Sequence, residues 1–147
     1  MLKVFCVMKA SIGQIYFFRM HEGDDLLDTI KKCAEQCGVK AGFFILIGAL
    51  KNAVVGFYKD KQYKFLSFDK PLEIASCVGN IAVNENGEVM IHAHIVVTDE
   101  AGQAFGGHLM KGSIVSATAE LVIVEGLGAH LVRALDSKTN LNLLKLG

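Results

Sequence analysis

Between Glu88 and Thr98 the chain alternates with a period of two. Val89, Ile91, Ala93, Ile95 and Val97 form one unbroken apolar set, and Glu88, Met90, His92, His94, Val96 and Thr98 form the other. Successive strand residues point to opposite faces, so this stretch is predicted to be a β-strand with its odd positions against a core. The alternation sends His92 and His94 out on the same face. Two residues of rise place them roughly 6–7 Å apart at the backbone. From there two imidazoles can converge on one ion at about 2.0–2.1 Å from each nitrogen.

Strand patterns of this kind fill most of the chain. Phe43–Leu50 and Ala53–Tyr58 read as two buried strands, and Tyr63–Phe68 as a shorter, half-polar one. Leu72–Val83 leads through Asn86-Gly87, a strong hairpin signal, into Val89–Thr98. Leu121–Glu125, Leu131–Leu135 and Leu141–Leu146 complete the set, with one more strand ending at Arg19. A single segment has helical spacing. Gly23-Asp24-Asp25 opens it with a capping acid, Leu26, Leu27, Ile30, Ala34 and Cys37 recur along one face, and Gly38 ends it. Strands joined by short turns, with one helix, predict an α/β (α+β) fold. It is a largely antiparallel, twisted sheet carrying the helix on a face, one domain over residues 1–147.

Bulk properties narrow the function. Fifteen basic residues balance fifteen acidic ones, so no basic surplus points to nucleic acid or an anionic membrane. A chain without net charge gains little solubility from repulsion, which favours an oligomer that covers apolar surface. The amino end, Met1-Leu2-Lys3-Val4-Phe5, has no signal-peptide pattern, and the apolar run Phe43–Leu50 is too short to cross a bilayer. Cys6, Cys33, Cys37 and Cys77 lack paired metal-ligand spacing and read as reduced thiols. Together these predict a cytoplasmic protein with no membrane contact.

A third histidine joins the pair if the next hairpin has the right register. A two- or four-residue loop would set His108 opposite Ala93, on the wrong face. A three-residue loop, Glu100-Ala101-Gly102, pairs Asp99 with Gln103 and puts His94 across from His108. That loop needs a positive φ at its last position, which Gly102 supplies. A bulge at Gly106-Gly107 is another route to the same face. Three neutral imidazoles suit Zn2+ or another late divalent metal, and they leave its charge and one position open. Such a centre fits two uses: holding a small anionic ligand, or activating water in a hydrolase or lyase. His21 and His130 read as ordinary hydrogen-bonded side chains. Arg19, able to fork onto an anion, and Glu120, an acid in an apolar strand, are the candidate catalytic residues.

An ordered set of segments then resembles a known family. Phe18-Arg19-Met20-His21-Glu22-Gly23-Asp24-Asp25-Leu26, Ile47-Gly48-Ala49-Leu50, Leu72-Glu73-Ile74, His92-Ala93-His94 and Gly106-Gly107-His108-Leu109 are similar, over nearly the whole chain, to the plant and prokaryote conserved (PPC) domain. The resemblance implies a homotrimeric α/β domain, of the type that stands alone in prokaryotes, with Leu72-Glu73-Ile74 matching a plant segment implicated in partner contacts. Plant members follow a DNA-binding AT-hook. No Arg-Gly-Arg-Pro core occurs here, and Arg19 and Arg133 are the only arginines, so a DNA-associated protein is kept as the last alternative, behind the metal-binding module and the hydrolase or lyase. The His-x-His pair also resembles the first cupin motif, but Gly87 and Glu100 are misplaced for it and the second motif is missing. The expectation is a metal-binding PPC-like domain that serves as an assembly module or holds an anion.

Overall fold

The computed structural model describes residues 8–145. Among them the chain forms β1 (Ser11–His21), α1 (Leu26–Gln36), β2 (Gly42–Lys59), β3 (Gln62–Phe68), β4 (Leu72–Asn84), β5 (Val89–Thr98), β6 (Ala104–Leu109), β7 (Ile114–Leu127), β8 (Val132–Asp136) and β9 (Leu141–Lys145). The readings placed on Met1–Phe5, Cys6 and Leu146 lie outside the described residues. All the strands join one sheet, antiparallel apart from a short β4–β8 contact.

The single helix forms where its period and caps predict. The Asp25 side chain accepts from the Asp28 amide at 3.1 Å, and Leu26, Ile30, Cys33 and Ala34 are buried. Another oxygen of Asp25 accepts from the Gly112 amide at 2.6 Å, so the cap also ties the helix to the turn before β7. The buried face of α1 packs on β5 and β7. Phe44, Leu46, Ile81, Ile95, Leu121 and Ile123 fill the core on that side of the sheet.

The structure corrects one expectation about the strands. Phe43–Leu50 and Ala53–Tyr58 belong to one continuous strand, β2, because Lys51-Asn52 bends the chain without breaking it. The pairing of β2 shifts register against β4 between Leu46 and Gly48, and against β7 between Gly48 and Asn52. Bulges of this kind turn a strand and let its two halves take different partners. Lys51 pairs outward with Glu22 at 2.7 Å, and the Asn52 amide donates to the Gly112 carbonyl at 2.5 Å. Residues before the bend pair with β4 and β7. Those after it pair with β3, and Val55 and Gly56 also reach β6. The strands β2, β4, β5 and β6 therefore close a circuit, and β6 is held from both sides. β7 likewise begins at Ile114, well before the expected Leu121.

The turn chemistry fixes the register of β5 and β6. Asp99 Oδ1 accepts from the amides of Ala101 and Gln103 at 3.0 Å each, which folds Glu100-Ala101-Gly102 into a three-residue loop. Gly102 has φ +73°, and Asp99 pairs with Gln103 through the backbone at 3.1 Å. The hairpin before it repeats the device: Asn84 Oδ1 accepts from Asn86 and Glu88 at 2.9 Å each. Beyond the loop the pairing runs without a bulge through Val96–Gly106 and Ile95–Gly107 to His94–His108. The bulge considered at Gly106-Gly107 is not used.

A side chain at position 102 must adopt that left-handed backbone. Gly102→Val is expected to lower the unfolding free energy by roughly 1 kcal/mol or more. Gln103→Ala beside it should be nearly neutral. Urea denaturation of the two variants against the parent protein checks the contrast.

Candidate metal centre

The alternation along β5 and the loop register bring His92, His94 and His108 to one face of the sheet. One ligand atom from each lies within 4.8 Å of the others. The ring centroids are 5.3 Å apart for His92–His94, 4.9 Å for His92–His108 and 5.6 Å for His94–His108. Three nitrogens on one tetrahedral ion stand about 3.4 Å apart, so small ring rotations would close the set. His94 is exposed, while His92 and His108 are half-buried.

Two of the rings are held from behind. The Tyr63 hydroxyl stands 3.4 Å from His108 Nδ1, with the ring centroids 4.9 Å apart. Tyr63 reaches that position by lying over Gly56, where an added Cβ would come within 2.8 Å of its ring. Gly56 is also the β2 partner of His108, so a bare backbone at position 56 is what lets the tyrosine cover the histidine. His92 is held by Arg133 of β8, whose Nη2 lies 3.1 Å from His92 Nδ1 and donates to Asn80 Oδ1 at 2.8 Å. Nη1 of the same residue donates to the Asn142 carbonyl at 2.9 Å. Arg133 is 8% exposed, and its Nε has no partner among the described residues. A cavity of about 240 Å3 opens beside the cluster, between Tyr63, His92, His108 and Arg133 on one side and Leu141 and Leu143 on the other.

The model of the Plants and Prokaryotes Conserved (PCC) domain matches residues 8–126. The chain belongs to this family. Its fold is similar to that of a metal-containing protein of Archaeoglobus fulgidus, with a TM-score of 0.87 and 30% identity over 95% of this chain and 98% of that one. It is equally similar to a plant- and prokaryote-conserved (PPC) protein of Pyrococcus horikoshii, with a TM-score of 0.87 and 32% identity over 96% and 97% of the two chains. Among curated relatives, the bifunctional protein GlmU of Synechococcus sp. (strain JA-3-3Ab) is 29% identical over 127 residues, which are 86% of this chain. The chain spans only 19% of the length of that relative.

Within this PCC domain the other candidates lie apart from the histidines. Arg19 and Glu120 face each other across β1 and β7, both exposed, and the strand order sets β2 and β4 between β7 and β5. Neither lines the cavity beside the cluster. His21 and His130 are exposed, and neither belongs to the cluster or lines that cavity. Sequence reasoning missed Arg133 and Tyr63. A signal for Arg133 was present, since it is a charge inside the apolar segment Leu131–Leu135, the same reason that singled out Glu120. Tyr63 carried no signal, because its place depends on the bend of β2 and on Gly56.

The environment favours the neutral form of His92 and His108. Burial pushes His108 down to about 4, helped by the neighbouring His92 and His94 and by the Arg133 charge. Burial, Arg133 and His94 lower His92 in the same direction. Neutral rings are the form that ligates metal. The sign of the linkage follows. Below the ordinary histidine value of 6.5, the unfolded chain binds protons that folded His108 refuses until about 4. Chelator-treated protein should therefore lose stability as the pH falls between those values, and His108→Asn should flatten the slope. Denaturant midpoints measured between about pH 7 and pH 5 check this.

Proposed function

We propose that this PCC domain holds one divalent metal ion, zinc by the chemistry of its ligands, on His92, His94 and His108, and presents it to a small anionic ligand from within a homotrimer. The observation that carries the reading is the convergence of three imidazoles on the solvent-facing side of one hairpin, with His92 and His108 held towards the neutral form by burial. An all-imidazole donor set suits zinc and other late divalent ions, and when bound the ion supplies a charged, open position. Ligand holding is favoured over hydrolysis by the cavity beside the cluster. Its walls carry no carboxylate among the described residues to serve as a general base.

Assembly is supported by the sheet face on which the cluster sits. Partner positions run in rows across five strand pairs: Phe17, Val122, Ile45, Val78, His94 and His108 form one row. Ile15, Val124, Phe43, Asn80 and His92 form the next. Phe17 is 79% exposed in the single chain, and Phe43, Ile45 and Ile47 are each more than half exposed. So continuous an apolar face marks a protein contact, and copies of this chain are the occupants that the family resemblance implies. The same face is apolar rather than basic, which speaks against duplex DNA as its partner.

Two outcomes test the reading. Purified protein should carry about one zinc or similar ion per chain by elemental analysis, and His92→Ala, His94→Ala or His108→Ala should each reduce it sharply. Protein that stays metal-free after zinc is supplied would end the metal reading. Light scattering should give about three times the chain mass of 15.9 kDa, and Ile45→Glu, which puts a charge in the middle of the face, should shift the mass towards one chain.

A further inference from the structure

Arg133 is a buried cation with no anion beside it among the described residues. It is 8% exposed, and no carboxylate among the described residues pairs with it. Its three hydrogen-bond partners, Asn80 Oδ1, the Asn142 carbonyl and His92 Nδ1, are all neutral acceptors. Taking a charge out of water is costly unless a counter-charge meets it. A guanidinium has five N–H donors, and here the Nε–H is buried with no acceptor among the described residues.

Metal binding would deepen the shortfall. Arginine can only donate, so the contact with His92 Nδ1 requires a lone pair on that nitrogen. A neutral imidazole has one bare nitrogen. If the ion takes Nδ1, the lone pair is used; if it takes Nε2, the proton moves to Nδ1. In either case Arg133 must surrender its bond to His92, and a second N–H is freed beside the cluster.

The cavity shows what could receive these donors. Its volume of about 240 Å3 equals roughly eight waters at about 30 Å3 each. His92, His108 and Arg133 occupy one wall, while Met90, Ile91, Leu141 and Leu143 make others apolar. We infer that Arg133 and the metal centre together bind a small organic monocarboxylate, its carboxylate set between the guanidinium and the ion and its short hydrocarbon tail against Leu141 and Leu143. A carboxylate matches the guanidinium fork and ends the charge imbalance, and the apolar wall rejects a fully hydrated inorganic anion. The inference rests on the metal reading for its second anchor, and Arg133 is its own.

The test uses butyrate as the probe, with butyramide as its neutral isostere and inorganic phosphate as the competing anion. Binding is measured by calorimetry and by thermal shift on zinc-supplemented and chelator-treated protein, with metal content measured in parallel. Butyrate should bind the zinc-loaded protein at least tenfold more tightly than butyramide or phosphate do. Arg133→Met should weaken butyrate at least tenfold per zinc-loaded site, with the zinc content of each variant measured and brought to saturation first and subunit mass unchanged, and Arg133→Lys should restore part of the loss. Butyrate should raise the melting temperature of the parent protein and not that of Arg133→Met. Should Arg133→Met not fold, the comparison of butyrate with butyramide on the parent protein and the Arg133→Lys variant decide the matter. Zinc-loaded protein that ignores butyrate, or prefers phosphate, or binds butyrate equally well without Arg133, overturns the inference and leaves the metal reading standing. Protein that takes no zinc but binds butyrate through Arg133 ends the metal reading and keeps the arginine site. Neither zinc nor butyrate binding ends both.

Discussion

The site depends on the side chain of Asp99. By accepting the amides of Ala101 and Gln103, it closes a loop of three residues. An odd loop length sets β6 so that His108 and His94 share a face. Because side chains alternate along a strand, a loop one residue longer or shorter would turn His108 into the core and bring a glycine out in its place. The cluster is therefore a consequence of register, and the register is set about five residues away by a capped turn. The preceding hairpin uses Asn84 in the same way, so both edges of β5 are pinned by equivalent local hydrogen bonds.

Register alone would leave the imidazoles free to turn, and the bend of β2 removes that freedom. Past its bulges β2 carries Gly56 beside His108 and β3 beside Gly56, so that Tyr63 lies over the bare backbone and meets the His108 ring. On the other side β8 pairs with the end of β4 and inserts Arg133 behind His92. His92 and His108 are thus oriented by partners from different strands, while His94 stays exposed on the open side. In the metal-free protein such contacts from behind set the direction of both rings.

Much of this was legible in the sequence because it was local. The helix from Leu26, the strand Val89–Thr98 and the Glu100-Ala101-Gly102 loop each follow from caps, period or turn chemistry within a dozen residues. What escaped was non-local. Lys51-Asn52 looks like a break between strands, and only the register shifts against β4 and β7 make it a bend. The early start of β7 was hidden because Ser116-Ala117-Thr118 has no strong alternation, yet Thr118 pairs with His21 of β1, and Ile114 and Val115 pair with Asn52 and Leu50 of β2. Arg19 and Glu120 were judged by residue type alone. They prove to be cross-strand neighbours of each other on another part of the sheet, and Arg133, the arginine beside the histidines, comes from a short strand near the far end of the chain.

Arg133 also makes two electrostatic demands that no described residue reconciles. Burial is the main cause that lowers the basicity of His92 and His108, and the Arg133 charge adds to it, which favours the neutral form that can ligate a cation. The same charge repels any cation that arrives, and in a partly buried site such repulsion is weakly screened. A carboxylate beside the arginine would remove the repulsion, but it would also raise the histidines and fill the cavity permanently. The site has a buried guanidinium, His92 and His108 held towards the neutral form, and a partly apolar cavity with no acid among its described walls, which is what favours an anion from solution in the proposed reading. On the proposed reading metal and anion would each relieve a cost that the other meets alone, and the coupling would be reciprocal by linkage.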